Sequence, residues 1–155
     1  MSTPAPFLWH SKFWLPGTPA EVFPFFADAH NLESITPPFL RFRVLTPRPI
    51  PMAPGTRIDY ELRLHGIPIR WQSEITLWDP PHEFRDEQRR GPYRRWLHAH
   101  RFHPAEGGGT WVEDEVRYDV FGGKLVDSLF VRKDVKRIFE YREEKLKGLL
   151  GRERG

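Results

Sequence analysis

The sequence predicts an α+β domain: a curved antiparallel sheet of six to seven strands wrapped around one long C-terminal helix. Three observations carry this expectation. Between Phe39 and Phe121 apolar residues recur with a period of two, interrupted by short Gly- and Pro-containing connections that suit hairpins. From Leu125 the period becomes helical and holds as far as Leu149. A strongly twisted sheet of this size curls, and a single amphipathic helix is the element available to fill the curl.

The elements follow in order. Phe7 to Trp14 alternates bulky and polar residues and reads as a first strand, with Phe7, Trp9 and Phe13 on one face. Leu15-Pro16-Gly17 ends it. Thr18-Pro19-Ala20-Glu21 is a helix start: Thr18 caps, Pro19 takes the first helical position, and Glu21 closes a capping box. This helix buries Val22, Phe23 and Phe26, and Pro24 bends or shortens it. A second short helix, about Ala29 to Ile35, stops before Pro37 and Pro38.

Six strands follow. The first is Phe39 to Leu45. Thr56 to His65 comes next, with Ile58, Tyr60, Leu62 and Leu64 on one side and charges on the other. Pro68 to Trp78 groups Ile69, Trp71, Ser73, Ile75 and Leu77. Glu83 to Arg89 groups Phe84, Asp86 and Gln88. Gly91-Pro92 turns into the strand that carries Trp96, His98, His100 and Phe102 on one face. Thr110 to Phe121 returns after a Gly-rich loop, with Val112, Asp114, Val116, Tyr118 and Val120 together. On the last helix Leu125, Leu129, Val135, Ile138, Phe139, Arg142, Leu146 and Leu149 form one broad stripe. By length this is one domain, residues 1–151, with a frayed tail at 152–155.

Composition narrows the function classes. The chain of 155 residues has no cysteine, which rules out disulfides, thiolate nucleophiles and cysteine metal sites and suits the cytoplasm. The net charge is +3 with both signs interspersed, a poor footprint for nucleic acid. The start lacks a signal-peptide pattern, and no apolar run is long enough to span a membrane. Aromatic residues make up 14%, which supplies bulky lining and core groups despite a mean hydropathy of −0.60.

A strand that sets His98 and His100 between Trp96 and Phe102 is unusual for a dry core. It suits the wall of a mostly apolar cavity with a few polar groups at fixed places. If Phe102 pairs with Thr110, then His100 opposes Val112, His98 opposes Asp114 and Trp96 opposes Val116. His98 and Asp114 are then candidates for an acid–base pair, with Asp86 and Gln88 nearby. The alternative is a buried polar network whose members satisfy one another. His98-x-His100 also has a two-ligand spacing for a metal, with Asp114 or Asp86 as a third group. Paired strand histidines more often pack or hydrogen-bond, so neither metal nor cofactor is expected. Ser73 lacks the sharp turn that exposes a nucleophile. Arg89, Arg90, Arg94 and Arg95 flank the Gly91-Pro92 turn and read as a solvated tip, with an anionic partner as the alternative.

Several segments together carry a resemblance: Asn31-Leu32-Glu33-Ser34-Ile35-Thr36-Pro37-Pro38, Trp78-Asp79-Pro80-Pro81, Phe84-Arg85-Asp86-Glu87-Gln88, Gly91-Pro92-Tyr93, Trp96-x-His98-x-His100-x-Phe102 and Ile138-Phe139-Glu140-Tyr141-Arg142. In this order, over nearly the whole chain, they resemble the bacterial ligand-binding SRPBCC proteins. These are similar to the START, birch-pollen-allergen and polyketide cyclase/dehydrase proteins of the helix-grip superfamily. The resemblance implies a seven-stranded sheet gripping the C-terminal helix, with a hydrophobic tunnel between them. It does not imply one activity: members bind lipids, polyketides, hormones or quinones, and some catalyse cyclisation or dehydration. The expected function is binding of a small hydrophobic or amphipathic molecule. The alternative is a cyclase or dehydratase using His98 and Asp114. The expected ligand-binding residues are Trp71, Phe84, Asp86, Gln88, Trp96, His98, His100, Phe102, Asp114, Tyr118 and Phe139.

Overall fold

The computed structural model describes residues 5–151; the expected tail at 152–155 lies outside them. Seven strands form one antiparallel sheet: β1 (Phe7–Leu15), β2 (Arg43–Val44), β3 (Arg57–Leu64), β4 (Ile67–Asp79), β5 (Glu83–Arg90), β6 (Arg95–Pro104) and β7 (Thr110–Asp119). Their spatial order is β1-β7-β6-β5-β4-β3-β2, so every neighbour but one is joined by a local hairpin and β1 closes the far edge against β7. The curved sheet and the long C-terminal helix make this the helix-grip α+β fold.

Helix α1 (Pro19–Ala27) begins at the expected capping box. The Thr18 side chain accepts from the Glu21 backbone N–H at 3.2 Å, and the Thr18 N–H donates to the Glu21 carboxylate at 3.3 Å. Pro24 sits inside it and the helix stops at Ala27. Ala29–Ile35 follows as a 3₁₀ helix, capped by Asp28, whose carboxylate accepts from the His30 N–H at 3.0 Å. The helix α1 face packs on the sheet through Phe23, whose ring lies 5.4 Å from Trp78, 5.8 Å from Phe84 and 5.2 Å from Phe102. Edge contacts of this kind add about 0.5–1.5 kcal/mol each to the burial of the ring.

Four sequence expectations require correction. The strand expected over Phe39 to Leu45 is a 3₁₀ turn, Pro38–Leu40, followed by the two-residue β2. Pro38 at the start of the turn favours helical backbone, and Arg41 ends it in the left-handed region at φ 46°. On β4 the register slips between Ile75 and Leu77: Ile75 pairs with Asp86, but Leu77 pairs with Arg85. The extra residue is a β-bulge, which hands the inner face from Leu77 to Trp78. In the β6–β7 hairpin Pro104 pairs with Thr110, so Phe102 opposes Val112, His100 opposes Asp114, His98 opposes Val116 and Trp96 opposes Tyr118. β6 runs two residues further than expected, to Pro104, while β7 starts at Thr110 as expected, and the tight loop closes by the Ala105 N–H donating to the Gly109 carbonyl at 3.0 Å. A slip of two preserves the faces.

The last correction concerns the helix. It begins as α2 (Gly123–Val126), passes through one π-helical turn (Asp127–Val131), and continues as α3 (Arg132–Gly151). The wider turn shifts the helical phase. Val135, Phe139, Arg142 and Leu146 are buried as expected, but Leu125, Leu129 and Leu149 face solvent. The residue buried in the π turn is Asp127, whose carboxylate accepts from the Tyr118 hydroxyl at 2.7 Å.

Candidate functional site

The sheet and α3 touch at two places. At one end Phe13, Leu15, Phe102, Val112 and Leu146 pack with α1. At the other Val116, Tyr118, Val120, Val135 and Phe139 pack together. Between them lies a cavity of about 170 Å³. Its apolar wall includes Leu32, Leu40, Phe42, Tyr60, Leu62, Trp71, Tyr93, Trp96, Val135, Ile138 and Phe139; its polar groups include Ser73, Asp86, His98, His100 and Arg142. A larger hollow of about 500 Å³ between β1 and the end of α3 is an open surface groove rimmed by Lys12, Glu143 and Lys147.

The polar groups form one cluster. His98 and His100 project from β6 with their rings stacked at 3.7 Å. His98 Nε2 lies 2.8 Å from Asp114 Oδ1, across the diagonal of the hairpin. His100 Nε2 lies 2.7 Å from Asp86 Oδ2 on β5. Arg142 reaches down from α3: its Nη2 is 3.5 Å from His100 Nδ1 and 3.6 Å from Asp114 Oδ1. Phe84 stacks on the other face of His100 at 4.0 Å. Exposure is 6% for His98, 5% for His100, 1% for Asp114 and 8% for Arg142.

The electrostatics follow from that burial. Burial alone raises the Asp114 carboxyl, but the Arg142 charge and the His98 hydrogen bond outweigh it and hold the group well below the usual carboxylate range. Asp114 is therefore ionised and only accepts, so His98 Nε2 carries the hydrogen. Burial, assisted by His98, lowers His100 well below an ordinary histidine. Arg142 has only N–H groups to offer, so His100 Nδ1 accepts and Nε2–H points to Asp86. The Asp86 carboxyl is raised, chiefly by burial. Two histidine–carboxylate pairs thus lie side by side, with both imidazoles and Asp86 at the cavity wall and Asp114 behind them.

A metal meets this cluster on poor terms. Ligand atoms of Asp86, His98 and His100 come within 4.8 Å of one another. Each Nε2 is engaged by a carboxylate, and the Arg142 cation stands beside them.

Of the expected site residues, Trp71, Asp86, Trp96, His98, His100 and Phe139 line the cavity. Five expected residues do not. Phe84 and Phe102 are covered by Phe23 from α1. Tyr118 is fully buried and bonded to Asp127. Gln88 clamps the Gly91-Pro92 turn: its amide donates to the Tyr93 carbonyl at 2.8 Å and accepts from the Tyr93 N–H at 3.2 Å. Asp114 lies behind the imidazoles and acts through them. Ser73 accepts from the Trp71 indole N–H at 3.0 Å, which fixes that ring at the wall. Arg142, Tyr60, Tyr93, Leu40 and Phe42 were not expected at the site. Arg142 had a visible signal, a cation in the apolar phase of a helix. At the arginine tip Arg89 pairs with Glu74 and Glu87, and Arg94 lies 3.7 Å from Asp119.

Fold and site together define a helix-grip protein with a pocket between the sheet and α3. A sequence profile of the family described as "Polyketide cyclase / dehydrase and lipid transport" matches residues 13–151, and the chain belongs to that family, within the SRPBCC group. The structure is similar to TTHA0849 from Thermus thermophilus (25% identity, 94% of this chain and 95% of that one, TM-score 0.62). It is similar to a START superfamily protein from Mycobacterium smegmatis (9% identity, 94% and 97%, TM-score 0.68). It is also similar to Ara h 8.0201 (16% identity, 93% and 97%, TM-score 0.70). A sequence search finds no match among curated proteins. No helix among the described residues is long and apolar enough to cross a membrane.

Proposed function

We propose that this chain binds a small hydrophobic or amphipathic molecule in the cavity between the sheet and α3. The observation that carries this reading is the wall itself: apolar and aromatic on most sides, with His98, His100, Asp86 and Arg142 gathered at one place. Apolar lining supplies affinity at about 25 cal/mol per Å² buried, and the polar cluster orients one end of the ligand. Lipid transport in the family description supports the same class of ligand. We propose a cytoplasmic location, which the lack of cysteine fits. Native mass spectrometry of the protein isolated from its source tests this. A small molecule should be released from wild type and missing from Ile138→Trp, which fills the cavity. Bare protein of one mass in both cases sinks the reading.

A second reading has its own support. A cyclase or dehydratase needs one group to take a proton beside a carbonyl and another to protonate a leaving oxygen. The His98–Asp114 contact at 2.8 Å, beside the His100–Asp86 contact at 2.7 Å, offers such groups. His98→Ala separates the two readings. A binding protein loses affinity modestly, whereas an enzyme loses turnover by about 10²-fold or more.

A further inference from the structure

Arg142 carries an unspent hydrogen bond. Its Nε is buried and has no hydrogen-bond partner among the described residues. The other end of the guanidinium is engaged, with Nη2 at 3.5 Å from His100 and 3.6 Å from Asp114. The side chain lines the cavity and is flanked by the Phe139 and Phe26 rings at 5.7 and 5.8 Å. A buried N–H left without an acceptor costs about 1–3 kcal/mol, and more when it belongs to a charged group. No side chain nearby supplies the acceptor, and the cavity is where one can arrive.

We infer that the ligand of this cavity is a one- or two-ring molecule bearing a neutral carbonyl oxygen, and that Arg142 Nε–H receives that oxygen. This rests on the proposed binding function and narrows it. Size sets the first limit. A volume of about 150 Å³ accommodates benzene, so the hollow of about 170 Å³ seats a single substituted ring or a compact fused pair. Charge sets the second. The one cation of the cluster already faces Asp114, and Asp86 stands beside the same imidazole. A carboxylate ligand would add a further negative charge to a buried site whose positive charge is matched. A neutral acceptor meets the N–H without that penalty. Trp71 and Trp96, with rings 5.4 Å apart and edge-on, give the ligand ring an aromatic wall.

The test compares three probes of nearly equal shape: 4-methylacetophenone, p-cymene and 4-methylbenzoate. Affinities are measured by calorimetry on the whole chain, and the Arg142 Nε–H resonance is followed by ¹⁵N-edited NMR. The ketone should bind about tenfold to a hundredfold tighter than the hydrocarbon, bind tighter than the carboxylate, and alone move the Nε–H signal downfield. Arg142→Lys, which keeps the charge but loses Nε, should lose the preference for ketone over p-cymene. A purely structural role for Arg142 would weaken both probes alike. The wild-type NMR readout decides the matter even where a variant folds poorly. Equal affinity for ketone and hydrocarbon, or a still Nε–H signal, overturns the inference and leaves the binding function standing. Tighter carboxylate binding overturns the neutral-acceptor class. Failure of all three probes to bind overturns the inference together with the binding function beneath it.

Discussion

At the scale of single residues, Asp114 decides the state of the site. It is a fully buried carboxylate held ionised by Arg142 and His98. Asp114→Ala removes the counter-charge and leaves Arg142 unpaired in the interior, which should cost about 3–5 kcal/mol in urea unfolding. Asp114→Asn keeps an acceptor for His98 and should cost less. Equal, negligible losses in both would mean that the carboxylate is not what holds the cluster. His100 gives a pH signature. Its folded-state value lies well below that of an ordinary histidine. As pH falls below about 6.5 the unfolded chain takes a proton there and the folded chain does not, so stability declines, by up to about 1.4 kcal/mol per pH unit. Asp86 acts in the opposite sense. Its carboxyl is raised, so below that raised value the folded protein takes the proton first and part of the stability returns. Denaturation between about pH 7.5 and 5.5 should show a steeper loss in wild type than in His100→Gln. Parallel curves would contradict the assignment.

At the scale of elements, two contacts set where the cavity begins and ends. Phe23 of α1 covers Phe84 and Phe102, and Phe23→Ala should cost about 3–5 kcal/mol in thermal or urea unfolding. The Tyr118–Asp127 bond ties the π turn to β7 at 2.7 Å. Tyr118→Phe leaves Asp127 buried without that donor and should cost about 1–3 kcal/mol by the same measurement; a neutral result would mean water reaches Asp127. What the sequence revealed, and what it hid, sorts along these elements. The capping box at Thr18 and the parity of Trp96, His98, His100 and Phe102 were legible because both are local and periodic. The parity survived a hairpin register wrong by two residues, since a two-residue slip keeps every side chain on its face. The bulge that exchanges Leu77 for Trp78 was not legible, because nothing in Ile75-Thr76-Leu77-Trp78 marks where the extra residue goes. The π turn was hidden for a similar reason: Leu125 and Leu129 keep a helical spacing while the backbone changes phase beneath them. Phe102 and Tyr118 were expected at the site because strand parity names a face, not the element that covers it.

At the scale of the whole molecule, the curved sheet and α3 meet at both ends of the interior and part in the middle. The hollow is a consequence of shape: α1 closes one end, the π turn and β7 close the other, and Arg142 enters from the helix between them. The fold was legible from the succession of periods, and half of the expected site residues do line the hollow. Arg142 was legible as a cation in an apolar stripe, but its role needed the distance to Asp114. The most direct measurement is a calorimetric titration of p-cymene into wild type and into Ile138→Trp, with circular dichroism showing that both are folded. Saturable binding to wild type and none to the filled variant is the expected result. No binding to wild type, or equal binding to both, would contradict the existence of an internal ligand site.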